Sequence, residues 1–174
     1  MYPVLFCILL LFSQQISAQT FHARAIKIVD GDTYDVIDSN NKVSRIRMNG
    51  IDAPEKGQAF GQKAKEELGR WCFSKTILVK VYSKDRNGRL IADGYVNGKS
   101  LSLIMIEKGA AWHFKKYSSD TTLSNAENIA RARKLGLWSD IHPVAPWDYR
   151  KTSKWTIENI KTEQLNSSAQ MLCV

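Results

Sequence analysis

Cysteine and histidine are scarce in this chain, with three of each among 174 residues. Cys7, Cys72 and Cys173 lie far apart, as do His22, His113 and His142, and none approaches the spacing of a zinc site. That excludes a Cys/His zinc module. Acidic side chains are outnumbered, 17 against 25 lysines and arginines, and the formal net charge is +8. Such a surface favours a polyanionic partner, either nucleic acid or an anionic membrane, and composition alone does not choose between them. Long apolar runs are also missing. The exception is VLFCILLLF at residues 4–12, which is short for a membrane span. SQQISAQ follows it, with small residues at Ser17 and Ala18, so residues 1–18 read as a secretory signal peptide cut after Ala18, although no Lys or Arg precedes the apolar run. The other readings are a buried N-terminal strand or an uncleaved anchor. Cleavage leaves one domain with no stable membrane span, in a secreted or periplasmic protein. Export permits a disulfide between Cys72 and Cys173, but Cys72 closes an apolar helical face and serves equally as a buried thiol.

The hydrophobic period then organises the chain. FHARAIKIV (residues 21–29), TYDVID and KVSRIRM alternate as strands. DGDT and the Asn40-Asn41 pair turn the chain between them, too tightly for crossover helices, so the three form an antiparallel meander. After Pro54 the period becomes helical through Phe60, Ala64, Leu68 and Trp71. TILVKVYS and LIADGYV return to strand, separated by the charged turn DRNGR. Leu101, Ile104 and Met105 mark a second helix, stopping near Gly109. Leu123, Ala126, Ile129 and Ala130 mark a third, with Gly136 as the expected C-terminal cap. Five short strands and three helices suit a small closed barrel of the OB type. Beyond Trp138 the composition changes, and Trp147 and Trp155 are expected to anchor the tail across the body.

Four stretches concentrate charge: DGDT, RIRMNGIDAPE, DRNGR and FKKY. Taken singly, each has a plain structural reading. Asp30-Gly31-Asp32 makes a turn, Asp52 and Glu55 suit the start of a helix, and Asn87-Gly88 suits a hairpin. Taken together they carry a chemistry. Phosphodiester hydrolysis needs guanidinium donors for the charge of the transition state, a carboxylate to activate water, and oxygen ligands for a divalent ion. On the third strand Arg45 and Arg47 alternate with Ile46 and Met48, so both guanidinium groups are expected on the outer barrel surface. Their charges, and those of Asp52 and Glu55, are expected to stay free for a metal and a phosphate rather than to satisfy one another. Arg45 reads either as a charge steering phosphate or as a plain surface residue.

VDGDT, RIRMNGIDAPE, DRNGRLIA, IEKGAAWHFKKYSS and ARARKLGLWSD, in this order between about Arg24 and Asp140, resemble the staphylococcal nuclease (thermonuclease) family. The resemblance implies an all-β core with helices (α+β), a five-stranded OB-fold barrel with three α-helices. It also implies a calcium-dependent endonuclease and exonuclease that hydrolyses DNA and RNA with little sequence specificity and leaves 3′-phosphate ends. Carried over by position, Asp32 and Asp52 correspond to the Ca²⁺ carboxylates and Ala53 to a carbonyl ligand, a place where the family often has threonine. Glu55 corresponds to the proposed general base, and Arg47 and Arg89 to the pair that binds phosphate and stabilises the transition state. Lys115, Lys116 and Tyr117 lie where family members contact substrate. Trp112 and Phe114 read as core rather than ligand, and His113 as structural. A monomer without an obligate protein partner is expected, divided into a signal peptide (1–18), a nuclease domain (19–142) and a C-terminal extension (143–174). The KGQAFG loop is shorter than its counterpart in the staphylococcal enzyme, and the tail beyond Asp140 departs from it. Retention of all five charged site residues favours an enzyme over a non-catalytic nucleic-acid-binding OB module or a basic exported protein that binds anionic envelope polymers.

Overall fold

Alternating side chains put Ala23 and Ala25 of β1 (Thr20–Ile28), Tyr34 and Val36 of β2 (Thr33–Asp38), and Ile46 and Met48 of β3 (Val43–Met48) on one buried face. These strands form the expected antiparallel meander. The computed structural model describes residues 19–152. The expected signal peptide, Trp155, Cys173 and the rest of the tail lie outside them. After β4 (Ile51–Asp52) and α1 (Gly61–Cys72), β5 (Thr76–Lys84) pairs with β1, and β6 (Leu90–Val96) pairs with β5. Closure comes from a short parallel pairing in which Ile46, Arg47 and Met48 of β3 face Leu90, Ile91 and Ala92 of β6. Register breaks at Ala25/Lys27 and Val81/Ser83 supply the bends that a closed barrel needs.

β7 (Lys99–Ser100) turns back on β6 through Asn97 and Gly98, both at positive φ, and leads directly into α2 (Leu101–Glu107). Ser100 caps that helix by accepting from the Leu103 N–H. β8 (Trp112–His113) pairs with β4, α3 (Thr121–Ala132) follows, and a fourth helix, α4, is described over 146–152. The core joins Ile77, Val79 and Ala92 of the barrel to Leu68 of α1 and to Leu101, Met105 and Ile106 of α2. Cys72 is buried, which pushes its thiol up to about 12, and it has no disulfide partner among the described residues.

The chain thus has the α+β, five-stranded OB barrel, with one α-helix more than the three expected among the described residues. Another expectation is corrected. Gly136 does not cap α3, which ends at Ala132. Lys134 takes the left-handed backbone just beyond it, at φ +53°. Gly136 packs against the Lys108 and Gly109 carbonyls, where a β-carbon would come within 2.6 Å and 2.3 Å of the oxygens, so its lack of a side chain serves a close backbone contact. No described helix is long and apolar enough to cross a membrane.

Candidate active site

Three connections meet at one end of the barrel: the β1–β2 turn, the segment from Asn49 to Phe60, and the β5–β6 turn. Asp30-Gly31-Asp32 is a turn, as the sequence allows, with Asp30 Oδ1 accepting from the Asp32 N–H. The Asp32 side chain nevertheless points inward. Its Oδ2 accepts from the Ala53 N–H at 2.7 Å and its Oδ1 from the Thr33 hydroxyl at 3.0 Å. Gly31 permits this, because a β-carbon there would lie 2.7 Å from the β-carbons of both Ala53 and Ala64. The turn that carries Asp32 is therefore pressed against the backbone that carries Ala53.

The strand register pairs Thr33 with Arg47 and brings Arg47 beside Asp32. Here the structure corrects the expected outward, unpaired arginine. The Arg47 side chain is only 13% exposed. Its Nη1 donates to the Met48 and Ile51 carbonyls, and its Nη2 lies 2.8 Å from Asp52 Oδ1 and 3.2 Å from Asp32 Oδ2. Within RIRMNGIDAPE, Arg47 and Asp52 do satisfy one another, since the chain folds back after Met48 and covers the face that alternation assigns to solvent. Arg45, left open by the sequence, forks onto Asp35 directly across the β2–β3 ladder, through Nε at 2.7 Å and Nη2 at 3.0 Å. It takes no part in the cavity.

Asp52 is buried and accepts a second arginine, Arg150, whose Nη2 is 2.7 Å from Oδ2. Glu55 precedes α1 in the loop instead of starting the helix. Its carboxylate is half exposed, and Oε1 accepts from Arg150 Nη1 at 2.5 Å. Gly61 is what lets the loop close here, since a β-carbon would come within 1.9 Å of the Glu55 carbonyl oxygen. Arg89 is oriented by Asp85, which accepts from the Asn87 and Arg89 N–H groups and from Arg89 Nε at 2.8 Å. A cavity of about 400 Å³ is lined by Asp32, Arg47, Asp52, Ala53, Glu55 and Arg89, together with Asp30, Arg86, Tyr117 and Arg150. All six residues expected for catalysis and metal binding are thus brought together.

The remaining expected residues divide. Tyr117 reaches this cavity, 67% exposed and edge-on to Phe114. Lys115 and Lys116 line the neighbouring cavity with Trp112, Phe114 and Trp147, and Phe114 is a wall shared by both. Lys115 also lies 3.6 Å from buried Glu127. His113 is structural, as expected, buried between the Ser118 and Ser124 hydroxyls.

The electrostatics follow from crowding. Burial, then the charge of Asp32, pushes Asp30 up to about 6. Burial also raises Asp52, against the pull of Arg150 and Arg47. The two carboxylates hold Arg150 well above the usual arginine range. Whether the residues fit a divalent ion is answered by their donors. Asp32 and Asp52 face a common cation, the Arg47 guanidinium, and with the Ala53 carbonyl they offer only oxygen, which suits Ca²⁺ or Mg²⁺. Among the described residues no three His, Cys, Asp or Glu side chains gather to hold an ion unaided, so carbonyl and water ligands would complete the shell. The residues fit.

Arg150 escaped the sequence reading. Trp147 was an expected anchor and does stack on Phe114, with ring centroids 5.0 Å apart, and Arg150 follows it one helical turn later. That spacing was the available signal.

Comparison with known proteins agrees with the geometry. A family model described as "Staphylococcal nuclease homologue" matches residues 45–140. A protein of Escherichia coli O157:H7 named "Uncharacterized endonuclease" is 38% identical over 144 residues, covering 82% of this chain and 94% of that protein. One of Haemophilus influenzae with the same name is 39% identical over 131 residues, 75% of this chain and 74% of its own. "Micrococcal nuclease" of Shigella flexneri is 35% identical over 145 residues, 77% and 83% of the two chains. The matched stretch runs from Arg45 through the loop of Asp52 and Glu55 and the turn of Arg89 to Asp140, and on these grounds the chain belongs to the staphylococcal nuclease family.

Proposed function

We propose that this nuclease-family hydrolase is Ca²⁺-dependent, cuts both DNA and RNA with little sequence preference, acts as an endonuclease and exonuclease, and leaves 3′-phosphate ends. The observation that carries the reading is the single cavity shared by Asp32, Asp52, Ala53, Glu55, Arg47 and Arg89. Asp32, Asp52 and the Ala53 carbonyl would hold the ion, which when bound supplies charge neutralisation at the phosphate. Arg89, aimed by Asp85, meets the phosphate with the donors that Asp85 leaves unused. Arg47 lines the same cavity, with Nη2 beside the two carboxylates, and its guanidinium would meet the phosphate there. Glu55 takes a proton from the attacking water as its oxygen bonds to phosphorus. The bond from phosphorus to the 5′ oxygen breaks, and that oxygen leaves as a hydroxyl after protonation by solvent. Both arginines stabilise the charge that builds on the phosphoryl oxygens. No base-reading group is needed for this chemistry, which fits low sequence preference.

Lys115, Lys116 and Tyr117 serve as further substrate contacts, with Tyr117 stacking on a base. The protein works as an exported monomer, secreted or periplasmic, with a signal peptide over 1–18, a nuclease domain over 19–142 and an extension over 143–174. The test is digestion of single-stranded DNA, duplex DNA and RNA by the purified mature protein with Ca²⁺, with Mg²⁺ and with chelator, reading the end groups of the products. Cleavage that requires Ca²⁺ and yields 3′-phosphates is expected. Chelator-resistant cleavage overturns the metal assignment, and binding without cleavage would leave a nucleic-acid-binding OB module.

A further inference from the structure

The C-terminal segment from Pro143 to Arg150 lies outside the stretch matched by the family model, yet it holds the Glu55 loop at two points. The first is the backbone. Gln58 Oε1 accepts from the Glu55 N–H at 3.1 Å, and Gln58 Nε2 donates to the Val144 carbonyl at 2.7 Å. The second is the side chain. Arg150 Nη1 reaches Glu55 Oε1 while Nη2 reaches Asp52 Oδ2. The segment is itself fixed, because Trp147 stacks parallel to Phe114 and meets Trp112 edge-on.

We propose that this segment is part of the hydrolytic site and that Arg150 is a positioning residue, aiming the Glu55 carboxylate relative to Asp52. The proposal rests on Glu55 acting as the base. Glu55 is half exposed and stands in a loop, where an acidic side chain otherwise has many rotamers. A guanidinium presents donors in a rigid plane, so one residue can hold two carboxylates at a fixed separation. Arg150 is tied to Asp52 and carried on a helix anchored by aromatic stacking, and it fixes Glu55 beside Asp52 in the cavity. The same contact places a positive charge on Asp52, the expected metal carboxylate. Arg150 therefore makes two opposed contributions: it orients the base and it weakens cation binding.

Those contributions separate the proposal from its rivals. Arg150→Gln and Arg150→Lys are compared with wild type for kcat and KM on single-stranded DNA, and for Ca²⁺ affinity by calorimetric titration with CaCl₂ alone. Thermal melts check that each variant folds. Arg150→Gln is expected to lose about tenfold or more in kcat with KM within about twofold. It should bind Ca²⁺ severalfold more tightly. Arg150→Lys, which keeps the charge without the fork, should fall between the two, and it carries the same comparison if Arg150→Gln does not fold. Unchanged kcat overturns the positioning role. Faster cutting at limiting Ca²⁺ would make Arg150 an inhibitory latch. Loss of Ca²⁺ affinity in a folded variant would make it merely a brace for the metal carboxylates. Wild-type protein that cleaves no nucleic acid under any condition defeats the proposed function instead, whatever the titration gives.

Discussion

Arg47 Nη2 lies 2.8 Å from Asp52 Oδ1, and both side chains are largely shielded from water. A buried ion pair of this kind ties stability to function, since removing one partner strands the other charge in a poorly solvated place. Arg89 differs, because its side chain is 31% exposed and its partner Asp85 belongs to a surface turn. Both arginines are assigned to the phosphate, so Arg47→Ala and Arg89→Ala should each lose roughly 10²–10³-fold in turnover. Stability distinguishes them. Arg47→Ala should cost about 3–5 kcal/mol, and Arg89→Ala no more than about 1 kcal/mol. Urea denaturation beside steady-state kinetics measures both, and equal stability losses would contradict the burial argument.

The same contrast shows what the sequence made legible. Clustered charge marked out the stretches that hold Asp32, Arg47, Asp52, Glu55 and Arg89, and the resemblance to the nuclease family singled these five out within them. The fate of Arg47 was not legible, because alternation tells only which side chains leave the core face. What then covers them depends on the path of residues 49–55 and on the parallel pairing of β3 with β6. The partner of Arg45 required the β2–β3 register, which sets Asp35 opposite it. Arg150 meets Asp52 across 98 residues and Glu55 across 95, a contact that no local pattern encodes. Gly136 looked like a helix cap because glycine after a helix usually is one, while its requirement here comes from the carbonyls packed against it.

Gly61 offers a test of how Glu55 is held. A β-carbon at this position would meet the Glu55 carbonyl oxygen at 1.9 Å, so Gly61→Ala must displace the loop backbone. Overpacking against backbone costs about 1–3 kcal/mol. The displaced atoms belong to the proposed base, so kcat should fall as well. Denaturant unfolding together with initial rates would show both losses. A variant as stable and as active as wild type would mean that the loop does not close on α1 in this way.

His113 should make the fold sensitive to acid. Burial, with Lys115 adding to it, lowers this histidine below its ordinary 6.5, and Glu127 and Asp120 only partly oppose the shift. The unfolded chain therefore binds a proton at a higher pH than the folded one. Its stabilising contribution is complete above about 6.5 and is lost as pH falls from there through the folded value. His113→Gln keeps one hydrogen bond to Ser118 or Ser124 and cannot titrate. It should be somewhat less stable than wild type at pH 8, yet lose less melting temperature between pH 7 and pH 5. Parallel melting curves for the two proteins across that range would remove His113 as a source of the acid sensitivity.

Glu55→Gln isolates the proton transfer. The amide is nearly isosteric, and its oxygen can still accept from Arg150 Nη1, so the loop, the Asp52–Arg150 pair and the cavity should stay in place. What is lost is the carboxylate's capacity to take a proton from water. A general base contributes about 10²–10⁴-fold, so kcat should fall by that order while KM changes little. The expectation differs from that for Arg89→Ala, where a phosphate contact made before the transition state also raises KM. Stability should change by less than about 1 kcal/mol, because Glu55 is half exposed and its ion pair with Arg150 is partly screened. Steady-state kinetics and a melting curve on the same preparation would decide the matter. Turnover equal to wild type would remove Glu55 from the chemistry, and with it the residue that Arg150 is argued to aim.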